Sequence, residues 1–349
     1  MFNIGARQVG GGQPAFIVAE IGANHDGDLA KAAELVRMAA RAGVDAVKFQ
    51  TYTTAELVAD ADRMVTWGAP GHEHQETIGA LFDRLALPRA AHAELFALAQ
   101  SLGLLAFSTP FSPKGADFLA GLDVPCFKLA ASDVAYLDLL ERVAGSGKPV
   151  ILSLGKSTLA EAERAVAVLG QAGCRDLMLL HCLSAYPAPD NEMNLRTIPT
   201  LQHLFPQAQI GLSDHSLGYT AALGSVALGA RLIEKHITLD RDTDGPDHWF
   251  SADEGELTAM VREVRRLETM LGRSQVGVRP SEVEERRVST RSLVLRHALP
   301  AGHRLTLDDL VVLRPGYGIH PFERERLLGR QLVRDLPALS VLAWSDIGA

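Results

Sequence analysis

The chain has 349 residues, a formal net charge of −8 and 47% hydrophobic residues, which is typical of a globular protein of about two domains. Because the chain is acidic, nucleic acid and an anionic membrane surface are excluded as natural partners. Its three cysteines form no CxxC pair and exclude a disulfide framework, and without a signal peptide or an apolar run of about 18 residues we expect a cytoplasmic protein.

Eight short β-rich runs alternate with helical patterns up to about residue 260. The runs are AFIVAEI (15–21), VDAVKF (44–49), LLAFST (104–109), CFKL (126–129), PVILS (149–153), LMLLH (177–181), QIGLS (209–213) and RLIEKH (231–236). Strands that alternate with helices indicate a parallel sheet. Eight such units predict an α/β fold of the (β/α)8 barrel type, with a doubly wound open sheet as the alternative.

The chain changes character after Gly272. Residues 1–275 are predicted to form the barrel, and the polar, charged stretch 276–290 is predicted to be a linker. Short strands and turns in 291–349 predict a small, mostly β accessory domain. A domain of this size is too small to carry catalysis alone.

Polar residues end nearly every predicted strand, whereas the strand starts are mostly apolar. In a (β/α)8 barrel the active site lies at the C-terminal ends of the strands. The three ionisable residues near the end of RLIEKH therefore indicate an active site rather than an exposed edge. The strand-end residues are Glu20, Lys48, Gln50, Ser108, Thr109, Lys128, Ser153, His181, Ser213, Asp214, His215, Glu234, Lys235 and His236.

Two of these residues, His215 and His236, end neighbouring strands and could hold one divalent metal. Structural roles for both imidazoles are the alternative. Asp247, in TDGPDHWFS, is a further candidate, although a loop aspartate is usually a turn residue. His72 and His74 sit in a polar loop and are expected to be solvated.

A lysine inside an apolar strand loses hydration unless it meets an anion. Lys48 and Lys128 therefore suggest a bound phosphate or carboxylate, with Ser153 and Ser213 as further donors. Glu20 is a candidate general base, or else a carboxylate that pairs within the following turn. The residues alone predict a metal-assisted barrel enzyme that acts on a small anionic substrate.

The sequence resembles the sialic acid synthase (nonulosonate synthase) family. The segments that carry the resemblance are FIVAEIGANHDGD, AVKFQTY, FSTPFS, GKPVILSLGKST, LLHCLSAYPAP, GLSDHSLGYT, IEKHITLD and DGPDHWFS. The segment RPGYGIHP resembles the C-terminal antifreeze-like (SAF) domain of the same family. Together these matches cover nearly the whole chain.

The resemblance implies condensation of phosphoenolpyruvate with an N-acetylated amino sugar to a nine-carbon 2-keto acid, with release of phosphate. The acceptor would be N-acetylmannosamine or a diacetamido-trideoxy hexose. It also implies a divalent metal on His215 and His236, manganese first, with magnesium or cobalt as alternatives. Glu20 matches the family's acid/base carboxylate. Arg314 matches an arginine that reaches a partner's barrel, which implies a domain-swapped homodimer.

The other site residues follow from the same resemblance. Lys48, Lys128, Ser153 and Ser213 match positions that hold the phosphate and carboxylate. The sugar-contacting positions are matched by Gln50, Tyr186 and Asp247. The remaining residues assigned to substrate binding are Thr109, Phe111, Ser132, Asp133 and Ser184.

Three positions depart from the family pattern. Ala131 stands where a serine is expected, with Ser132 one position later. Ser184 stands where the synthases of N-acetylneuraminate often carry asparagine, and Leu154 stands where threonine is common. These departures leave the acceptor sugar open.

Two other functions remain as alternatives. One is a metal-dependent aldolase that cleaves a 2-keto sugar acid, which would need no phosphate pocket. The other is a carbohydrate-binding protein whose barrel has lost catalysis, which Ala131 and Ser184 would favour. Against the second stand the two histidines, both lysines and Glu20.

Overall fold

The computed structural model describes residues 1–348, and the chain divides into two compact units, Met1–Gly272 and Arg273–Ala349. The strands are β1 (Phe2–Ile4), β2 (Arg7–Val9), β3 (Phe16–Glu20), β4 (Ala46–Thr51), β5 (Met64–Trp67), β6 (His74–Thr77), β7 (Leu105–Pro110), β8 (Phe127–Leu129), β9 (Val150–Ser153), β10 (Leu177–Cys182), β11 (Gln209–Asp214), β12 (Leu232–His236), β13 (Ser292–Leu295) and β14 (Leu310–Leu313). The helices are α1 (Leu29–Ala42), α2 (Thr54–Leu57), α3 (Ile78–Leu85), α4 (Arg89–Ser101), α5 (Pro113–Gly121), α6 (Leu137–Ala144), α7 (Leu159–Gln171), α8 (Thr197–Leu204), α9 (Thr220–Ala227), α10 (Glu254–Leu271) and α11 (Val283–Ser289).

Eight strands of the first unit form one parallel sheet in the order β7-β4-β3-β12-β11-β10-β9-β8. The two end strands, β7 and β8, lie against each other. The sheet is therefore a nearly closed barrel, and the predicted (β/α)8 fold is confirmed over the open doubly wound sheet. Each predicted strand lies within two residues of the observed one at both ends.

The barrel strands are apolar on both faces because helices cover the outside. Helix α1 is an example: Asp28 caps its N-terminus by accepting hydrogen bonds from the backbone N–H groups of Ala30 and Lys31. Gly43 ends it in the left-handed conformation at φ +82°. The helix buries Leu35 and Met38 in a core shared with β3, β4, α4 and α10. A second core joins β8, β9 and β10 to α5, α6 and α7.

Two hairpins were not predicted from the sequence. Strands β1 and β2 pair at the start of the chain and bury Phe2, Ile4 and Val9 in the barrel core. Strands β5 and β6 pair in the polar stretch around His72 and His74 that was expected to be a loop, and Trp67 and His74 stack there with ring centroids 4.6 Å apart. His74 is nevertheless exposed, as expected.

The second unit is small and mostly irregular, with one antiparallel pair, β13 and β14. Nine buried apolar residues, mostly leucines, form its core, Leu293, Leu295 and Leu342 among them. The stretch predicted to be a linker contains α11 and a 3₁₀ turn at Pro280–Glu282. The three cysteines are free thiols. Within residues 1–348, no helix has the length and apolar character needed to cross a membrane.

Replacement by alanine should have opposite effects on stability at two glycines of the barrel unit. A Cβ at Gly211 in β11 would lie 2.7 Å from both Leu180 Cδ2 and Leu232 O, whereas a Cβ at Gly170 in α7 meets nothing within 4 Å. Gly211→Ala should destabilise the protein by about 1–3 kcal/mol through overpacking. Gly170→Ala, the matched control, should stabilise it by about 0.5–1 kcal/mol through helix propensity. Urea unfolding followed by circular dichroism measures both, and wild-type stability of Gly211→Ala would contradict the close packing.

Candidate active site

Successive side chains of a β-strand point to opposite faces, which explains why β12 can carry three ionisable residues, Glu234, Lys235 and His236, in a row. Glu234 and His236 lie on one face and line a cavity. Lys235 lies on the other face, where its Nζ is 2.9 Å from Asp214 Oδ2 in a buried ion pair. Lys235 also donates to Ser216 O, and Asp214 accepts from the Ser216 N–H at 2.9 Å. One face of the strand thus serves the site and the other anchors the neighbouring loop.

The cavity lies at the C-terminal ends of the barrel strands and has a volume of about 360 Å³. Because all eight parallel strands end at the same rim, residues far apart in sequence meet there. Of the barrel residues that were assigned a catalytic, metal-binding or substrate-binding role, all but Asp133 line the cavity. They are Glu20, Lys48, Gln50, Thr109, Phe111, Lys128, Ser132, Ser153, Ser184, Tyr186, Ser213, His215, His236 and Asp247.

Four buried charges form the floor of the cavity. Lys48 Nζ lies 2.8 Å from Glu20 Oε2 and 3.7 Å from Glu234 Oε1. Lys128 Nζ lies 3.6 Å from the same oxygen of Glu234. No side chain of the four is more than 6% exposed. Glu234 therefore bridges the two lysines, and this role was not assigned from the sequence.

Neutral donors and acceptors complete this cluster. Each lysine donates to a hydroxyl, and each carboxylate accepts from an amide or a hydroxyl, so the buried charges are partly satisfied within the protein. The hydrogen bonds are Lys48 Nζ to Thr109 Oγ1 (2.9 Å), Lys128 Nζ to Ser153 Oγ (2.8 Å), Gln50 Nε2 to Glu20 Oε1 (3.0 Å) and Ser213 Oγ to Glu234 Oε1 (3.3 Å).

The pKa values of the two carboxylates, Glu20 and Glu234, are shifted in opposite directions. Burial raises the pKa of Glu20 more than the nearby Lys48 lowers it. Burial acts the same way on Glu234, but the two lysines outweigh it and lower the pKa of that group. Burial lowers the pKa of Lys128, whereas Glu20 and Glu234 overcome burial and raise the pKa of Lys48. Glu20 is thus the carboxyl suited to exchange a proton.

The two histidines stand side by side, with ring centroids 5.3 Å apart. The Nδ1–H of His215 donates to Leu183 O at 2.8 Å, which leaves Nε2 free. His236 Nδ1 is buried without a hydrogen-bond partner and lies 3.6 Å from Asp247 Oδ2. Burial lowers the pKa of both imidazoles, well below the usual value for His236, so both are neutral with lone pairs available.

This pair fits a divalent metal. Within residues 1–348 no group of three or more His, Cys, Asp or Glu side chains is arranged to hold a metal. Two neutral imidazoles are still a donor set that several divalent ions accept. Such an ion would give the unpartnered, buried ring of His236 a partner. An ion held here by His215 and His236 would leave its other positions to water and substrate.

A network of buried and half-buried polar groups holds the loop that carries Asp247. His248 Nε2 lies 3.1 Å from Asp26 Oδ2, and its Nδ1 lies 2.6 Å from Thr238 Oγ1. Ser251 Oγ donates to the backbone oxygen of Asp247. Burial raises the pKa of the Asp247 carboxyl to about 7. Asp26 and His248 therefore act as positioning residues for Asp247.

Tyr186 covers the histidines from the loop after β10. Its ring centroid lies 4.3 Å from that of His215 and 6.2 Å from that of His236. On its other side it packs against Phe250 at 5.5 Å. Burial raises the pKa of the phenol, so it remains a neutral hydrogen-bonding group. The aromatic lid limits the access of water to the imidazole pair.

Some predicted residues lie elsewhere. Asp133 does not line the cavity, because it follows Ser132 in a 3₁₀ turn and successive side chains of such a turn point in different directions. His181 has its Nε2 2.7 Å from Met193 O and lies outside the cavity. Arg314 belongs to the second unit and follows β14.

The cavity also contains residues that were not assigned from the sequence. Glu234 could have been found, since it lies two residues before His236 on the same face of β12. Lys156 follows the end of β9 by three residues, and no pattern in SLGKST indicates its direction. The other unassigned lining residues are Phe82, Ala130, Ala131 and Cys182.

The chain matches the model of the NeuB family over residues 35–276 and that of the SAF domain over residues 290–348. The chain belongs to the NeuB family. The predicted family and the SAF domain are thereby confirmed, and relatives that are synthases confirm the assignment as a transferase-type enzyme.

Relatives of this NeuB-family protein extend over its full length. An uncharacterized protein of Methanocaldococcus jannaschii, MJ1065, is 41% identical and aligns with 99% of this chain and 98% of its own. The N,N'-diacetyllegionaminic acid synthase of Legionella pneumophila is 36% identical over the same shares. The crystal structure of the N-acetylneuraminic acid synthetase of Leptospira borgpetersenii, in complex with citrate, is 34% identical with a TM-score of 0.73, and covers 81% of this chain and 94% of that one.

The buried Asp133 carboxyl should make the free energy of unfolding depend on pH. Its side chain is buried, Oδ2 has no hydrogen-bond partner, and burial raises the pKa to about 6 from the ordinary 3.8. A raised carboxyl pKa lowers stability as the pH rises from about 4 to about 6. Asp133→Asn should therefore gain up to about 3 kcal/mol over the wild type at pH 8, and nothing at pH 4.

Urea unfolding at the two pH values measures this difference. Asp62→Asn, which changes an exposed loop carboxylate, is the matched control and should show no pH-dependent gain. Equal stability of Asp133→Asn and the wild type at pH 8 would show that the carboxyl is solvated.

Proposed function

We propose that this protein is a nonulosonate synthase, which condenses phosphoenolpyruvate with an N-acetylated amino sugar and releases phosphate. The observation that carries the proposal is the union of two parts in one cavity: an anion end with two buried lysines and a metal end with two neutral imidazoles. Full-length similarity to a legionaminic acid synthase supports the same chemistry.

The lysines would bind phosphoenolpyruvate. Lys48 and Lys128 already meet the hydroxyls of Thr109 and Ser153, which are neutral donors suited to phosphate or carboxylate oxygens. Charge-assisted hydrogen bonds in a buried site hold such a ligand firmly and fix its orientation. C3 of phosphoenolpyruvate would attack the aldehyde carbon of the sugar, forming the new carbon–carbon bond.

Glu20 would manage the protons of this reaction. Water must add at C2 of phosphoenolpyruvate before phosphate leaves, and the aldehyde oxygen must gain a proton. Glu20 has the raised pKa that both tasks require, and Gln50 orients its carboxyl at 3.0 Å. The neighbouring Lys48 stabilises the ionised form of Glu20 between proton transfers.

His215 and His236 would hold a divalent metal, with manganese proposed first and magnesium or cobalt as alternatives. When bound, such an ion supplies Lewis-acid polarisation of the sugar aldehyde. The backbone oxygen of Leu183 fixes the ring orientation of His215 through its Nδ1–H. Asp247, beside His236, would serve the sugar or water at the same end.

Gln50, Tyr186 and Asp247 would contact the sugar, with Ser184 beside Tyr186 in the same loop. Ser184 offers a single hydroxyl where a longer amide would reach further into the cavity. This difference bears on whether N-acetylmannosamine or a diacetamido-trideoxy hexose is the acceptor. We propose a diacetamido-trideoxy hexose, in line with the legionaminic acid synthase relative.

A manganese-dependent phosphate-release assay tests the synthase. Phosphoenolpyruvate is supplied with N-acetylmannosamine or with each of two diacetamido-trideoxy hexoses, the legionaminic and pseudaminic acid precursors. Phosphate should be released fastest with one of the diacetamido sugars, because the short side chain of Ser184 leaves more of the cavity to the acceptor than an asparagine would. Mass spectrometry of the product should find the nine-carbon 2-keto acid.

The controls separate chemistry from folding. His236→Ala should lose manganese binding by isothermal titration calorimetry and lower turnover at least 100-fold, while circular dichroism stays unchanged. Full activity of this variant in the presence of a chelator would refute the metal assignment. Cleavage of a 2-keto sugar acid without any phosphate release from phosphoenolpyruvate would instead support the aldolase.

We further propose a domain-swapped homodimer located in the cytoplasm, in which Arg314 of one subunit completes the sugar site of the other. Subunit mixing tests the swap. Glu20→Gln and Arg314→Ala should each lower activity, and their mixture should regain roughly a quarter of wild-type activity, because heterodimers hold one complete site. Activity that never exceeds the sum of the separate variants would mean that each barrel uses its own Arg314 or none.

A further inference from the structure

The active-site cavity contains a third lysine that the reaction described above does not use. Lys156 lies in the loop after β9 and lines the cavity at its solvent-exposed rim. Lys48 and Lys128 are both paired with carboxylates. Lys156 forms no ion pair and no side-chain hydrogen bond with any residue from 1 to 348. Within that range it is the one lysine of the cavity that forms no ion pair with a carboxylate.

The backbone holds Lys156 in an unusual conformation. Its φ is +63°, in the left-handed region that residues with a Cβ rarely adopt. Gly155 before it is tightly packed: a Cβ there would lie 2.3 Å from Ser184 Oγ and 3.3 Å from Ala131 Cβ. Two residues later, Thr158 begins α7 with a capping box. The loop is therefore fixed on both sides, which keeps Lys156 at the rim.

Lys156 belongs to the anion end of the cavity. It follows β9, next to the strand that carries Lys128, whereas His215 directly follows β11 and His236 ends β12. Burial raises the pKa of the Asp133 carboxyl, and the positive charges of Lys128 and Lys156 both act to lower it. The two lysines therefore flank the same small region beside β8 and β9.

The net charge of the cavity floor explains why a further cation is needed. Lys48 and Lys128 are offset by Glu20 and Glu234, so the floor brings no net positive charge to a polyanionic substrate. The cation at the rim supplies the missing attraction. Resting on the proposed function, we infer that Lys156 binds an oxyanion of phosphoenolpyruvate, and that it is a substrate-binding residue for this half of the reaction.

Steady-state kinetics of Lys156→Ala test the inference in the manganese-loaded full-length protein. The KM for phosphoenolpyruvate should rise about tenfold, as expected for the loss of one charge-assisted hydrogen bond at a partly solvated site. The turnover number and the KM for the acceptor sugar should stay within about twofold, since Lys156 lies away from the histidines. Raising the ionic strength should shrink the difference.

Two variants serve as controls. Lys156→Arg keeps the charge and should retain the wild-type KM for phosphoenolpyruvate within about threefold. Lys114→Ala removes an exposed lysine of α5 outside the cavity and should change neither KM. Since Lys156 is exposed, Lys156→Ala should fold normally, which circular dichroism checks.

The outcomes are separable from those of the synthase proposal. An unchanged KM for phosphoenolpyruvate in Lys156→Ala would overturn the inference, and so would a rise in the KM of the acceptor alone, which would place the acceptor sugar at Lys156. If the wild type releases no phosphate with any acceptor, the synthase proposal fails. Titration of phosphoenolpyruvate without acceptor then decides: weaker binding by Lys156→Ala supports the inference, and equal binding refutes it.

Discussion

The active site depends on four charges buried at the floor of the barrel mouth. Two lysines and two carboxylates, each nearly inaccessible to water, satisfy one another across β3, β4, β8 and β12. Burying such charges is costly unless each finds a partner, and removing one partner leaves the other uncompensated. The cluster therefore ties four strands into one register and also sets different pKa values for its two carboxyls.

The loops at the rim build on this floor. Asp26 and His248 hold the loop of Asp247, and Asp214 with Lys235 anchors the loop after β11 on the outer side of the barrel. Gly155 lets the β9 loop approach Ser184 closely. These contacts lie outside the reacting groups, yet they determine where the histidine pair, the aspartate and the rim lysine stand.

The two ends of the cavity differ in their chemistry. The end near β8 and β9 is cationic and rich in hydroxyls, while the end near β11 and β12 is aromatic and carries neutral imidazoles. A small polyanion and a metal-activated carbonyl compound would meet where these ends join, beside Glu20. Such a division of one cavity into an anion end and an imidazole end suits the proposed carbon–carbon condensation with phosphate as the leaving group.

The sequence by itself determined the barrel, since β-rich runs that alternate with amphipathic helical patterns predict eight β–α units. The polar residues at the strand ends also predicted which end of the barrel carries the site. The alternation of side chains along β12 separates Glu234 from Lys235, but it could not show that Glu234 reaches both Lys48 and Lys128, because contacts between strands depend on register within the closed sheet. The sequence did not indicate the β5–β6 hairpin, in which Trp67 and His74 stack although they lie seven apart in sequence. It also assigned Asp133 to the cavity, although the 3₁₀ turn directs it away, and overlooked Lys156. In each case contacts between distant or differently oriented side chains decided the position, and only the tertiary structure fixes those contacts.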